Sequence, residues 1–332
     1  MASLSLLISL SAESSSLDIL SEELTWGPDE QRQAQEFLTR GLPPLVSTLV
    51  LPFLFGVRPK FLAAMGHLPE RYYRRFQVPK RGGGTRTIES PRTTLKVIQR
   101  WINDHILSRS EFSEAVCGFV RGKNIFNNGR PHAAGRNLMV IDITDFFPSI
   151  PLAKIAEVFN TYGFAEPVVK QLSALCSLEG RLPQGAPTSP AISNIVFASA
   201  DRELEQLAAS WQCRYTRYAD DLAFSGARMF SSGDEQRVAA IFQGAGLSVN
   251  SRKTRRIGPG GRQIITGLIV NANALPPRWK RRRWRATFHR ASRYPHEFQG
   301  RVAELRGIAA FVNQYDPELA SRYFEIAGRV TA

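Results

Sequence analysis

With 332 residues, 43 % of them hydrophobic and 22 % charged, the chain can bury one large core or two to three smaller ones, which excludes a disordered or fibrous polypeptide. Its 43 Lys and Arg against 29 Asp and Glu leave a net charge of +14, a surplus that points to a polyanionic partner such as nucleic acid. That surplus is confined: Gln236 to His296 holds 14 basic residues and no acidic one, so the rest of the chain carries 29 of each sign.

Cys117, Cys176 and Cys213 form neither a CxxC pair nor a Cys/His spacing suited to zinc. A disulfide framework is therefore not expected, and a reducing, cytoplasmic setting is. Met1–Ala12 is mildly apolar and Ser-rich but has no basic start, so it reads as a helix or tail rather than a signal peptide. No window approaches the roughly 18 apolar residues of a membrane span, and no membrane partner is expected.

In chain order, residues 1–70 read as a helical extension of unknown role. Phe76 to Glu89 holds two short apolar runs around a glycine turn and predicts a basic hairpin. Thr94–Leu107 places Leu95, Ile98, Ile102 and Ile106 at helical spacing. Leu138–Asp142 predicts a strand ending in an acid, followed by Asp145–Pro148 and a helix through Phe159. Helices are predicted at 167–178 and 190–209, then strands at Tyr215–Tyr218 and Leu222–Ser225 around an Asp pair. A helix at 234–245, short strands within 264–270 and helices from 279 onward complete an α+β pattern. The expected blocks are 1–70, a catalytic block at 71–274 and a basic helical block at 275–332.

Three carboxylates stand where strands stop: Asp142, Asp220 and Asp221. Brought together they repel, and a divalent cation is the usual resolution. Hard oxygen donors without His or Cys favour Mg²⁺, with Mn²⁺ as substitute. Two such ions can activate an attacking hydroxyl and stabilise a leaving pyrophosphate. Taken alone, the Asp pair reads more readily as turn chemistry, a reading that weakens once its neighbours are counted. The C-terminal run Arg278–Arg285 interleaves cations with Trp279 and Trp284, which suits phosphate contact and stacking on unpaired bases. Trp284 and Phe288, four apart, also fit the core face of a helix.

The residues around these acids carry a resemblance. Tyr218-Ala219-Asp220-Asp221 matches the YxDD box of reverse transcriptases. Ile141–Phe147 resembles their first catalytic box, Leu182–Pro190 the loop-and-helix box between, and Val249–Thr254 the lysine-bearing box that follows. The four stand in family order and the resemblance spans about residues 72–330. Asn128–His132 resembles the Asn-Ala-x-x-His element of retron reverse transcriptases and Ile265–Gly267 their Val-Thr-Gly element, each departing by one residue.

The resemblance implies a right-hand polymerase with fingers, an antiparallel palm and a helical thumb. Asp142, Asp220 and Asp221 would be catalytic and hold two Mg²⁺ ions, with the Ile143 carbonyl as an added ligand. Lys80, Arg81 and Arg86 would grip the triphosphate of a dNTP. Asp145, Phe146 and Phe147 would line its sugar, with Phe147 against the ribose 2′-position. Gln184 and Gly185 would approach the nucleotide, and Lys253 would lie near the pyrophosphate. Asn128, His132, Thr266 and Gly267 would position RNA or template, His132 without an acid–base role. Arg278, Lys280, Arg281, Arg282, Arg283 and Arg285 would contact nucleic acid. The implied partners are a cognate noncoding RNA serving as template and primer, its single-stranded DNA product, dNTPs and a separate effector in phage defence. Another bacterial defence-associated or group II intron-like reverse transcriptase and a silent RNA-binding scaffold are the alternatives; three crowded carboxylates speak against the scaffold.

Overall fold

A computed structural model describes residues 14–79, 83–244 and 246–330. Helices α1 (Ser14–Glu23), α2 (Pro28–Thr39), α3 (Val50–Phe55) and α4 (Pro59–His67) precede a hairpin of β1 (Tyr73–Pro79) and β2 (Thr85–Pro91). Then come α5 (Thr93–His105), the short α6 (Ile125–Gly129), β3 (Asn137–Asp142), α7 (Leu152–Asn160), α8 (Glu166–Leu175) and α9 (Ser189–Ser210). Strands β4 (Arg214–Tyr218) and β5 (Asp221–Gly226) are followed by α10 (Ser232–Gly244), β6 (Arg255–Ile257), β7 (Ile264–Ile265) and β8 (Leu268–Ile269). Helices α11 (Arg278–Arg293), α12 (Val302–Asn313) and α13 (Pro317–Arg329) close the sequence. The content is α+β, and all strand pairs within the sheets are antiparallel.

The chain folds into two compact units that interleave along the sequence. One comprises 1–114, 143–204 and 237–250; the other comprises 115–142, 205–236 and 251–332. The linear blocks read from the sequence cut the chain differently, because the chain passes between the units repeatedly.

In the first unit, α5 is helical for the reason its spacing gave. Leu95, Ile98, Trp101 and Ile102 recur on one face and are buried, while Arg92, Val97 and Arg100 stay exposed. Buried Gln99 on that face donates from Nε2 to the Tyr73 hydroxyl (2.8 Å) and to the Leu175 carbonyl (2.7 Å), tying helix, hairpin and α8 together.

In the second unit, four strands lie in the order β4-β5-β3-β6. Phe126, Leu138, Val140, Ala223, Ile265 and Leu268 form a core on one face of this sheet. The last three helices bury Phe288, Leu305, Val312 and Tyr323 among themselves, with Trp284 packed against them. Phe288 stacks on Tyr323 with ring centroids 3.7 Å apart, so Trp284 and Phe288 occupy the core face that their spacing predicts. Helix α11 stops where Pro295 forbids its continuation. Helix α13 starts at Asp316, whose side chain accepts from the Leu319 amide at 3.1 Å, with Pro317 in the first turn. The helices are moored to the 124–130 segment: Asn124 and Arg130 both donate to Gln314, and Phe126 packs against Phe311 and Tyr315.

Among the described residues no helix is long and apolar enough to cross a membrane.

Candidate active site

The second unit's sheet assembles the acidic residues. Asn137 to Ile141 is buried throughout, which anchors β3 as a central strand and leaves Asp142 half-buried at its end. The antiparallel register sets Asp142 directly opposite Asp221, and Asp221 opposite Tyr218. Directly opposed residues share a face, so two carboxylates meet there with Asp220 in the turn beside them. That turn is two residues long, and Ala219 takes φ 58°, the left-handed conformation that costs a non-glycine residue about 1–2 kcal/mol.

Two neighbours hold the strained turn. The segment 115–118 runs along β4: the Arg217 amide donates to Ala115 O (2.8 Å), and the Cys117 amide donates to Arg217 O (2.8 Å). It ends at Gly118, where a Cβ would stand 2.3 Å from the Ala219 nitrogen. From within the core, fully buried Arg217 donates from Nη1 to the Ala219 carbonyl at 3.2 Å. Neither residue is marked in the sequence by spacing or by charge clustering, so sequence alone does not single them out.

Charge crowding is written into Asp221. Burial, and then the charges of Asp220 and Asp142, push its carboxyl up to about 6, against the opposing pull of Arg255 and Lys253. Lys253 Nζ lies 3.0 and 2.9 Å from the two Asp142 oxygens, so this carboxylate already recruits positive charge. Among the described residues no three Asp, Glu, His or Cys side chains close around one point. The fit to a divalent cation therefore rests on donor type and charge: hard oxygens, mutually repelling, one of them drawn to an ammonium. Ile143, the next residue, is buried, bridges Val249 and belongs to the first unit.

The Asn128–His132 element corrects the expectation of RNA contact. Both side chains are buried, with His132 at 0 % and Asn128 at 1 % exposure. Thr216 donates its hydroxyl to Asn128 Oδ1 (2.6 Å), so it accepts from His132 Nε2 (2.8 Å). His132 Nδ1 is then the acceptor for the Ser225 hydroxyl at 2.7 Å, which fixes the neutral tautomer. Asn128 Nδ2 in turn donates to Thr266 Oγ1 at 3.3 Å. The element is an internal polar chain behind β4 and β5, reaching Thr266, and leaves neither Asn128 nor His132 a surface to offer. Gly267 is exposed with φ +83°.

Burial, then the charge of Arg214, pushes the His132 imidazole down from 6.5 to about 4. Between these values the unfolded chain binds a proton that the folded chain refuses, so stability is full above about pH 6.5 and falls as pH drops towards 4. The window is worth about 3 kcal/mol. Urea midpoints from pH 8 to 4 are expected to fall more steeply for the native chain than for His132→Gln, whose packing cost appears as a constant offset. Parallel curves would show that His132 does not drive the acid loss.

In the first unit, Lys80 and Arg81 lie outside the described residues. Arg86 is exposed on β2, opposite Val78. Asp145 is exposed with φ 43°. Phe146 is corrected from a sugar contact to a core residue: it is buried and stacks on Phe197 at 4.9 Å, while half-buried Phe147 meets it edge-on. Gln184 is half-buried and its carbonyl accepts from the Glu89 amide at 2.8 Å. Gly185, at φ +130°, seats against β2, where a Cβ would be 2.9 Å from Glu89 O. On α11, Arg278, Arg282, Arg283 and Arg285 are exposed, while Lys280 and Arg281 are half-buried, the latter donating to Pro276 O at 3.1 Å.

The profile of the family described as reverse transcriptase (RNA-dependent DNA polymerase) matches residues 78–265. Retron Mx65 reverse transcriptase of Myxococcus xanthus is 36 % identical over 271 residues, which covers 76 % of this chain and 63 % of that protein. Retron Mx162 reverse transcriptase of the same organism is 33 % identical over 282 residues, covering 74 % and 58 %. Retron Ec86 reverse transcriptase of Escherichia coli is 33 % identical over 251 residues, covering 74 % and 77 %. This chain thus spans less than two thirds of the length of the two Myxococcus relatives. With its paired carboxylates and these relatives, the chain belongs to the reverse transcriptase family, among the retron reverse transcriptases.

Proposed function

We propose that this chain is the RNA-directed DNA polymerase of a retron. It binds a cognate structured noncoding RNA and copies part of it into single-stranded DNA. Synthesis starts from an RNA 2′-OH, leaving a branched product, and serves phage defence beside a separate effector. The observation that carries the reading is the register that opposes Asp142 to Asp221 with Asp220 in the adjoining turn. Relatives named as retron reverse transcriptases support it.

In this reading Asp142, Asp220 and Asp221 hold divalent cations, Mg²⁺ by preference. Such ions would supply the Lewis acidity that activates the attacking hydroxyl and neutralises the departing pyrophosphate. Lys253, paired with Asp142, brings a mobile positive charge and a proton to the same edge of the sheet. Arg86, Gln184 and Gly185 serve the incoming nucleotide, and the half-buried ring of Phe147 presents an apolar face to a ribose 2′-position. The exposed arginines of α11 meet phosphates one helical turn after another. Asn128 and His132 act from below, by fixing β4, β5 and Thr266, and Gly267 is the exposed contact of that element.

The test is the nucleic acid that copurifies from cells carrying the native locus. After removal of protein, treatment with RNase and with debranching enzyme and sequencing of the remaining DNA, one short DNA whose mobility changes on debranching is expected. Linear DNA would remove the retron assignment and keep the polymerase. RNA without DNA would overturn the polymerase reading.

A further inference from the structure

The first unit contains a buried acid that no part of the proposed chemistry uses. Residues 71–100 hold nine Lys and Arg and a single acid, Glu89. The Glu89 side chain is 5 % exposed. Its Oε2 accepts from Arg181 Nη1 (2.9 Å) and its Oε1 from Arg181 Nη2 (2.8 Å), a two-pronged pair. Oε1 also accepts from Arg75 Nε at 3.2 Å and Oε2 from the Gln184 amide at 3.4 Å. The Glu89 amide donates back to Gln184 O at 2.8 Å. Arg75 and Arg181 are further tied to Glu179, at 2.6 and 3.4 Å.

The consequence is mechanical. Glu89 sits on β2, three residues from Arg86, and its partners sit on β1 and on the loop that carries Gln184 and Gly185. Gly185 packs so closely on Ile88 and Glu89 that a Cβ would stand 2.9 Å from each. One carboxylate therefore sets the register between a cationic hairpin and a loop with exposed backbone. It also pairs Arg75 and Arg181, while Arg86, the cation of β2, stays exposed.

We infer that Glu89 is a positioning residue for the incoming nucleotide, acting through Arg181 and the Gln184 amide to hold the hairpin and the 181–185 loop as one triphosphate-receiving surface. The inference rests on the reading of Arg86, Gln184 and Gly185 as nucleotide contacts. Burial alone would raise the Glu89 pKa, but the Arg181 bonds and charge, then the Gln184 amide and Arg75, outweigh it and hold the carboxyl ionised. Removing its charge breaks the two-pronged pair and leaves half-buried Arg181 only the longer contact to Glu179, so the loop moves.

The experiment is steady-state incorporation on an RNA template by the full chain and by Glu89→Gln, with dNTP and template each varied. A displacement confined to the nucleotide surface raises the KM for dNTP by about tenfold or more, with kcat within about twofold and the KM for template unchanged. Arg181→Lys keeps the charge and loses the two-pronged bond; it is expected to give the same shift, and the double variant no more than either single one. A fall in kcat at constant KM, an unchanged KM, or additive effects in the double variant would each overturn the positioning role. If Glu89→Gln does not fold, Arg181→Lys and Arg75→Gln carry the same test, the latter with a smaller shift in the same constant. Absence of incorporation by the unsubstituted chain would instead remove the polymerase reading itself.

Discussion

Asp220→Ala is expected to lower dNTP incorporation by a factor on the order of 10³ and to leave the melting temperature unchanged or slightly raised. The two effects separate because Asp220 is placed at a cost to the fold. It stands in a two-residue turn next to Asp221, whose carboxyl is pushed up to about 6 by burial first and by the Asp220 and Asp142 charges next. Deleting the Asp220 charge relieves part of that repulsion. The backbone makes no demand for Asp either, since the left-handed residue of the turn is Ala219 and not Asp220. An acid retained where it opposes its neighbours is the signature of a site that trades stability for chemistry. Incorporation on an RNA template and a thermal melt of the same preparations check both halves. Undiminished incorporation would remove Asp220 from the machinery. A melting point that falls in step with activity would make the residue structural.

How far the sequence could be read depends on whether the deciding contacts are local. The carboxylate edge was legible because strand runs and their terminal acids are neighbours in sequence: MVID ends β3, and RYTRY and DLAFSG meet at the Asp pair. The core face of α11 was legible because Trp284 and Phe288 lie one turn apart. Strand β6 was not, since three residues beginning Arg255-Arg256 show no apolar alternation, and its pairing with Leu138–Val140 of β3 is a contact distant in sequence. His132 and Asn128 read through the resemblance as positioning RNA or template, yet the hydroxyls of Thr216 and Ser225 that satisfy them arrive 84 to 93 residues later. The burial of Glu89 is not legible in sequence either, because Arg181, which pairs with it, arrives 92 residues later. Adjacent Phe146 and Phe147 are indistinguishable by type, and their burial divides them only once the chain turns at Asp145, φ 43°.

Gly118→Ala is the second large effect, and it arises from packing alone. Gly118 has no positive φ, so alanine meets no conformational penalty of its own there. Its Cβ, however, would stand 2.3 Å from the Ala219 nitrogen, 2.9 Å from the Tyr218 carbonyl carbon and 3.1 Å from the Tyr218 Cα. These are backbone atoms of the turn that carries Asp220, so no side chain can swing away to make room. Either the 117–118 segment lifts from β4, stretching the amide bonds that Cys117 (2.8 Å) and Gly118 (3.3 Å) donate to Arg217 O, or the turn itself moves. Overpacking of this kind costs about 1–3 kcal/mol of stability. A displacement near 1 Å at a catalytic group costs on the order of 10² in rate. Gly122→Ala is the matched control: it lies four residues on, at φ +80°, with nothing within 4 Å of a Cβ, so it is strained by about 1 kcal/mol without touching the turn. Gly118→Ala is therefore expected to lose kcat about 10²-fold at temperatures where it remains folded, and Gly122→Ala to lose stability while keeping kcat. Equal kcat losses in the two variants would mean that the whole 118–122 loop, rather than the contact at Ala219, sets the position of the acid.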